Sequence, residues 1–198
     1  MIHNLFPTPV GFYHLDGGLT DDELSFIRDL AKRPNSGNMT SEYNYLFDHE
    51  AVKRIADFAN ESLQDYFQEV YAPKHEVKPR ITQSWANYTD KGQWHHKHEH
   101  PNSFISGVFY VASDPKLDKI YFYKSGYQQI KVTTEKWNHW NSESWWFEAE
   151  PNKLILFPSH LTHMVETVEA ENTRISISFN TFLEGTIGDS KQLTELVL

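Results

Sequence analysis

The pattern of apolar and polar positions divides the chain into a helical first part and a longer part with strand-like spacing. An extended segment is expected at residues 5–15. A helix is predicted to follow over residues 21–32, because Thr20 and Glu23, three positions apart, fit a capping box. Residues 35–44 are rich in Ser, Gly and Asn and predict a loop.

A second helix has stronger support in the spacing of its apolar residues. Asp48 is placed to cap its start, and the helix is expected to end before Pro73. The apolar residues that recur at helical spacing are Val52, Ile55, Phe58, Ala59, Leu63, Tyr66, Phe67 and Val70. One face of this helix is therefore apolar and is expected to cover a sheet.

From Pro79 onward the apolar residues take the period of strands, and turn residues separate the segments. Strands are expected at residues 80–88, 104–111, 119–123, 145–147, 154–157, 164–168 and 174–182. Many short strands of this kind are typical of a sandwich or barrel. We therefore predict a single, mainly β domain over residues 1–198, with flanking helices. Its expected parts are an N-terminal strand and helical support at 1–78, a jelly-roll core at 79–184 and a C-terminal tail at 185–198.

The acidic composition narrows the range of partners. The formal net charge is −9, from 18 Lys and Arg against 27 Asp and Glu. A nucleic-acid backbone requires a basic face, so we expect no nucleic-acid partner. Aromatic residues make up 15% of the chain, which favours a pocket or large core lined with rings. A homodimer is compatible with this composition.

The chain contains no cysteine, which excludes disulfides, thiolate zinc sites and iron–sulfur clusters. A bound metal would therefore have nitrogen and oxygen ligands. Pro7, Pro9 and Asp16 interrupt the region where a secretory signal needs an apolar run, and no stretch approaches the length of a membrane span. We expect a soluble, cytoplasmic protein with no membrane partner.

Four of the 11 histidines fall within residues 95–100. Residues two positions apart point the same way in extended chain, so either His96 with His98 or His98 with His100 can form a chelating pair. We favour His98 with His100, because Pro101 fixes the loop just before the next strand. For this cluster taken alone, a solvated histidine-rich loop is the alternative.

A third candidate ligand, His163, comes at the start of a later strand. An apolar strand and the corner Pro158-Ser159 precede it, an arrangement that delivers one imidazole to the inside of a barrel. His160 is the competitor, but it lies in the turn. A hydrogen-bonded core histidine, with no metal, is the alternative for His163.

The strand at residues 174–180 alternates cleanly. One face carries the apolar residues Ile175, Ile177 and Phe179, and the other carries the polar residues Arg174, Ser176, Ser178 and Asn180. The polar face fits either a cosubstrate pocket or solvent. Arg174 favours the pocket, because an arginine fork can hold a carboxylate through two bonds. Tyr110 can donate its hydroxyl to the same carboxylate, although core packing is the commoner role of such a tyrosine.

A close histidine pair, a distant third histidine and an Arg-x-Ser strand are what a non-haem iron site with a keto-acid cosubstrate needs. The iron(II) facial triad places three protein ligands on one side of the metal and leaves the other positions open for cosubstrate and oxygen. A positive residue must then hold the far carboxylate of the cosubstrate, and Arg174 is placed for that task. The sequence therefore predicts an oxygenase.

Three segments resemble a 2-oxoglutarate/iron(II) oxygenase family known from bacteria and cyanophages and related to prolyl hydroxylases. The segments are residues 98–110, 157–165 and 174–180, and residues 4–9 and 85–87 add to the similarity. The resemblance thus extends over nearly the full chain. It implies a double-stranded β-helix of the cupin-like jelly-roll type, and a phage-encoded member would act in the host cytoplasm.

The same resemblance implies the cofactors and their ligands. Iron(II) is expected at His98 and His163, with His100 in the third ligand position. The residues expected at 2-oxoglutarate are Arg174, Ser176, Tyr110 and Asn87. With O2 as co-reactant, the implied activity is a hydroxylase, acting on a peptide or protein side chain or on a small metabolite.

One departure from the prolyl-hydroxylase pattern matters. That pattern is His-x-Asp or His-x-Glu, whereas this chain has His98-x-His100, and Glu99 has the wrong parity. Three neutral imidazoles leave the metal more positive than a carboxylate triad would. Two rival hypotheses follow: a cupin-like three-histidine dioxygenase that uses no keto acid, and an inactive metal-binding interaction module on the same scaffold.

Overall fold

Segments with alternating apolar residues pair into two antiparallel sheets in the computed structural model, which describes residues 1–126, 130 and 132–198. Residues 127–129 and 131 fall within the predicted jelly-roll range and lie outside the described residues. The helices are α1 (Asp21–Asp29) and α2 (Lys53–Tyr71). The strands are β1 (Gly11–His14), β2 (Lys32–Pro34), β3 (Met39–Ser41), β4 (Val77–Thr89), β5 (His95–His98), β6 (Ile105–Ala112), β7 (Lys119–Tyr123), β8 (Ser144–Glu148), β9 (Lys153–Pro158), β10 (His163–Val165), β11 (Arg174–Ile187) and β12 (Leu196–Val197).

The larger sheet has the strand order β1-β9-β6-β11-β4-β3-β2, with β12 paired to β11, and the smaller sheet has the order β5-β10-β7-β8. Every pairing between these strands is antiparallel. Two facing antiparallel sheets of this kind, with helices on one side, form a double-stranded β-helix. The predicted jelly-roll fold is confirmed.

The two faces of the larger sheet bury different partners. From β11, Ile175, Ile177 and Phe179 pack in a core shared with Ile55 and Leu63 of α2, all nearly inaccessible to water. The opposite face looks toward the smaller sheet, where a second apolar cluster contains Val108, Tyr110, Ile120, Phe122, Ala149, Ile155 and Phe157. The predicted apolar face of the second helix therefore covers the sheet, and the space between the sheets is left for a site.

The helix boundaries differ in part from the prediction. Thr20 and Glu23 form the expected capping box, but α1 ends at Asp29, because Lys32–Pro34 pairs as strand β2. Asp48 does not cap α2. It lies in a 3-10 turn, and α2 starts from Val52 without a side-chain cap. No helix among the described residues is long and apolar enough to cross a membrane.

Two segments predicted as irregular contain strands. Within the expected loop 35–44, Met39–Ser41 forms β3, which pairs with β4 through Met39 opposite Tyr88 and Thr40 opposite Asn87. Long-range pairing thus overrides the local turn preference of the Ser- and Asn-rich sequence. In the C-terminal range 185–198, β11 continues to Ile187 and β12 pairs back onto it.

Candidate metal and cosubstrate site

Pairing between β5 and β10 places His98 directly opposite His163. His100 follows just after β5, and one ring nitrogen from each of the three histidines lies within 4.8 Å of the others. The Nε2 atoms of His98 and His100 are 3.1 Å apart. The structure therefore brings together the three histidines predicted as ligands. It also corrects one expectation, because His98 belongs to a strand rather than a loop.

Hydrogen bonds on the far side of each ring fix the tautomer of all three histidines. The Nδ1 of His98 lies 2.7 Å from the backbone carbonyl oxygen of His96, and that of His163 lies 3.0 Å from the carbonyl oxygen of Leu161. A carbonyl oxygen only accepts, so each Nδ1 must carry the proton and donate it. The Nε2 atoms are therefore left with free lone pairs, the form that binds a metal.

The ring of His100 contacts side chains of the larger sheet, whereas the rings of His98 and His163 contact backbone carbonyls. Its Nδ1 lies 2.6 Å from Oδ1 of Asn180 and 2.9 Å from Oγ of Ser106, two residues that are register partners across β11 and β6. These contacts orient the third ring and leave its Nε2 free. The role of Asn180 was missed in the sequence, although its place on the polar face of the strand with Arg174 was the signal for it.

Burial keeps these rings neutral. It lowers the pKa of His100 to about 4, with the neighbouring His98 adding to the effect. Burial likewise holds the pKa of His163 well below its usual value and lowers that of His98. Neutral imidazole is the ligand form, so the site does not have to lose protons to take up a metal at neutral pH.

The donor set fits a divalent metal. Octahedral or tetrahedral coordination at ~2.1 Å places neighbouring ligand nitrogens ~3.0–3.4 Å apart, and the distance between His98 and His100 falls in that range. Two lone pairs at this separation repel unless a cation lies between them. No carboxylate replaces His100, since Glu99 accepts a hydrogen bond from Thr162 instead. His98, His100 and His163 could thus hold a divalent metal.

A bulge in β5 turns a fourth histidine inward. Val165 pairs with His95 while His163 pairs with His98, so β5 has one more residue than β10 over the same stretch. The rings of His95 and His98 consequently stack, with centroids 4.7 Å apart. His95 lines the inner cavity as well as the outer groove. Burial, with His98 next in effect, lowers its pKa to about 3.

Arg174 lies in the same cavity and is only 3% exposed. Its Nη1 donates to the backbone carbonyl oxygen of Lys119 at 2.9 Å. Within the described part of the chain, no carboxylate lies within 4.0 Å of its guanidinium. Burying a positive charge without an acidic partner lowers the stability of the fold, so this position is suited to bind an anion.

Tyr110 lies beside this charge. The Arg174 guanidinium carbon is 5.4 Å from the centre of the Tyr110 ring. The ring is part of the apolar cluster, so the core-packing alternative for Tyr110 applies to its ring. The buried hydroxyl, however, has no hydrogen-bond partner among the residues described. Burial raises the pKa of this hydroxyl and Arg174 opposes the shift, so it remains a neutral donor. An unsatisfied donor next to an unpaired arginine fits a carboxylate.

The remaining predicted cosubstrate residues line the same cavity. Ser176 is buried on its wall, and Asn87 donates from Nδ2 to Oγ of Ser178 at 3.0 Å. The Oδ1 of Asn87 is buried without a partner in the described residues. The polar face of β11 therefore faces this cavity rather than solvent.

An open groove lies on the outer side of the metal ligands. Its volume is about 400 Å³. Four residues line both this groove and the inner cavity: Trp85, His95, His98 and His100. The groove is otherwise largely polar, with Arg33, Asn44, Gln83 and Asn180 among its walls. His98 and His100 thus lie between a buried chamber that holds Arg174 and a groove open to solvent.

Comparison with known proteins places this geometry in a family. Residues 83–180 match the family model described as "Putative 2OG-Fe(II) oxygenase". The matched segment contains the three histidines and Arg174. No curated protein sequence shows significant similarity to the chain.

Solved structures share the fold at low identity. An oxidoreductase of the 2OG-Fe(II) oxygenase family from Burkholderia pseudomallei is 14% identical, with a TM-score of 0.59, over 86% of this chain and 84% of its own. HygX from Streptomyces hygroscopicus, crystallised with nickel, 2-oxoglutarate and hygromycin B, is 12% identical, with a TM-score of 0.57, over 87% and 82%. A Pseudomonas putida prolyl-4-hydroxylase is 11% identical, with a TM-score of 0.58, over 88% and 94%. Residues 83–180 thus match the 2OG-Fe(II) oxygenase family, and the fold of the chain is shared with the solved structures.

Proposed function

We propose that this chain is an iron(II)- and 2-oxoglutarate-dependent hydroxylase whose metal is held by His98, His100 and His163. The assignment rests on two features that lie in the same cavity. Three imidazoles present free Nε2 lone pairs to a common point. Deeper in the same cavity, Arg174 has a buried charge that no carboxylate of the described residues neutralises.

Arg174 is proposed to bind the distal carboxylate of 2-oxoglutarate. A guanidinium can donate two parallel hydrogen bonds to a carboxylate, and burial strengthens both. The Tyr110 hydroxyl, now without a partner, is placed to donate a further bond, and Ser176 and Asn87 supply polar groups along the wall. To accept the cosubstrate, Arg174 must exchange part of its contact with the Lys119 carbonyl for the carboxylate.

The protein's contribution to the reaction is orientation and exclusion of water. When bound, iron(II) with 2-oxoglutarate and O2 supplies the oxidising chemistry that hydroxylates a C–H bond while the keto acid is converted to succinate and CO2. The Nδ1 partners of the three histidines fix the ring orientations before any ligand binds. Val108, Ile120 and Phe157 line the inner chamber and keep it largely apolar around Arg174.

The substrate is proposed to bind in the outer groove. A volume of about 400 Å³ is within the range of small-molecule and peptide sites. The amide side chains of Asn44, Gln83 and Asn180 can each donate and accept, which suits a peptide backbone or a polar metabolite. The proposed reaction is therefore hydroxylation of a peptide or protein side chain, or of a small metabolite, at the groove side of His98 and His100.

Succinate release tests the proposal. The iron-loaded protein is incubated with 2-oxoglutarate and O2, with and without candidate substrates, and succinate is quantified beside a His163→Ala control. We expect succinate that depends on iron and on His163. Oxygen consumption that needs no 2-oxoglutarate would instead favour a three-histidine dioxygenase, which the absence of a carboxylate ligand also fits. Metal binding with neither product would favour an inactive binding module.

A further inference from the structure

The β5 bulge creates a second group of three histidine nitrogens beside the first. One ring nitrogen from each of His95, His96 and His98 lies within 4.8 Å of the others. Ring centroids are 4.7 Å apart for His95 with His98 and for His96 with His98, and 5.1 Å apart for His95 with His96. All three rings are half-buried and line the open groove. Among the described residues, this group and the inner triad share only His98.

One donor of this outer group, on His96, is not committed elsewhere. The Nδ1 of His96 is buried and has no hydrogen-bond partner among the described residues. A buried ring nitrogen of this kind requires a proton donor, an acceptor or a metal. The backbone carbonyl oxygen of His96 accepts a hydrogen bond from the His98 ring and orients it. The Nδ1 atom of the His96 ring itself has no partner among the described residues.

Charges of both signs surround this group. Lys97 lies in the same run, with its ammonium 3.7 Å from the centre of the Tyr123 ring, and Arg33 lines the groove. Glu99 lines the same groove as the outer histidines and adds a negative charge. The open groove also gives water access to complete the coordination of an ion.

We propose that His95, His96 and His98 form a second metal site, open to the groove, that takes late first-row divalent ions such as Zn²⁺ or Ni²⁺. Zn²⁺ and Ni²⁺ lie above Fe²⁺ in the affinity order for nitrogen ligands, so they are the ions that a weak three-imidazole site binds most readily. Tetrahedral coordination at ~2.1 Å needs ligand nitrogens ~3.4 Å apart, and the three ring nitrogens lie within 4.8 Å of one another.

His98 couples the two sites. Its Nδ1 donates to the His96 carbonyl and its Nε2 faces the inner triad, so one neutral ring cannot serve both ions. An outer ion obtains its third imidazole only when the inner site gives up His98. The outer site is therefore the weaker one in the intact protein, and it becomes the principal site when the inner triad loses a ligand.

Zinc titrations of four proteins test this site: the wild type, His163→Ala, His163→Ala with His96→Ala, and His163→Ala with His160→Ala. His160 is exposed in the turn and provides the matched control. We expect His163→Ala to bind one zinc more weakly than the wild type. Adding His96→Ala should weaken zinc binding by a further tenfold or more, whereas adding His160→Ala should leave it unchanged.

The outcomes separate the two sites. Equal zinc affinity in His163→Ala and in its double variant with His96→Ala would overturn the outer site. Equal affinity in His163→Ala and the wild type would instead count against the inner triad of the proposed function. If His163→Ala does not fold, as judged by circular dichroism, the same comparison is made on His100→Ala, whose residue lies after β5 and is half-buried.

Discussion

Replacing Arg174 by methionine should lower cosubstrate affinity without destabilising the metal-free protein. Arg174 is 3% exposed, and its one hydrogen bond in the described structure goes to the Lys119 carbonyl oxygen. Removing a buried arginine that is paired with an acid usually costs stability, because it leaves the acid unpaired. No carboxylate of the described residues pairs with Arg174, so its buried charge lowers the free energy of unfolding.

The expected magnitudes follow from these contacts. The lost bond to Lys119 is worth about 1.5–3 kcal/mol as a hydrogen bond to a charged group. Removing an unpaired buried charge also removes its desolvation penalty, which stabilises the fold by at least a similar amount. Methionine fills a comparable volume. The free energy of unfolding of metal-free Arg174→Met should therefore equal that of the wild type or exceed it by up to about 3 kcal/mol. The affinity for 2-oxoglutarate should fall about ten- to a hundredfold.

Two measurements on the same variants check this pair of opposite effects. Urea unfolding of the metal-free proteins gives stability, and anaerobic calorimetric titration of 2-oxoglutarate into the manganese-loaded proteins gives affinity. Arg174→Lys keeps the charge but not the fork, so its affinity should fall between wild type and Arg174→Met. A loss of more than about 2 kcal/mol of stability in Arg174→Met, together with unchanged affinity, would make Arg174 a structural residue.

Three further expectations come from the site and the sheet. Asn180→Leu removes the acceptor that orients His100 and should weaken metal binding about ten- to a hundredfold in a chelator competition, and unchanged binding would assign that role to Ser106. Gly107→Ala places a methyl carbon 2.2 Å from the Phe179 ring and should lower the free energy of unfolding by about 1–3 kcal/mol in urea; a neutral result would show that the ring can move. Burial holds the folded-state pKa of His100 at about 4 against an unfolded value of about 6.5, so the unfolded chain binds more protons between these values. The metal-free protein should therefore lose stability as the pH falls from 7 toward 4, and His100→Ala should reduce that loss.

Local alternation in the sequence was enough to predict most strands and to group most of the residues that line the cavity. The polar side chains of β11 face the cavity and its apolar side chains face α2, because residues two apart lie on one side of a strand. The same period placed Arg174 and Ser176 on one wall. The spacing of His98, His100 and His163 predicted that these residues lie close together. They do so because β5 and β10 are neighbouring strands.

What sequence reasoning missed depends on contacts between distant residues. The β5 bulge arises from its pairing with β10, and it turns His95 inward against the expected alternation. Met39–Ser41 becomes a strand because β4 offers a free edge, not because its residues prefer one. Asp48 is a residue type that often caps helices, but here it lies in the first of two 3-10 turns that precede α2. These features follow from tertiary structure, which no local window contains.

The assignment of the cavity to iron and 2-oxoglutarate can be tested by a crystal structure of the protein grown anaerobically with Mn²⁺ and 2-oxoglutarate. We expect one metal bound by the Nε2 atoms of His98, His100 and His163, and a distal carboxylate paired with Arg174. The Tyr110 hydroxyl should donate to that carboxylate. A metal held by His95 and His96 while the inner triad stays without one, or a keto acid bound away from Arg174, would contradict the assignment.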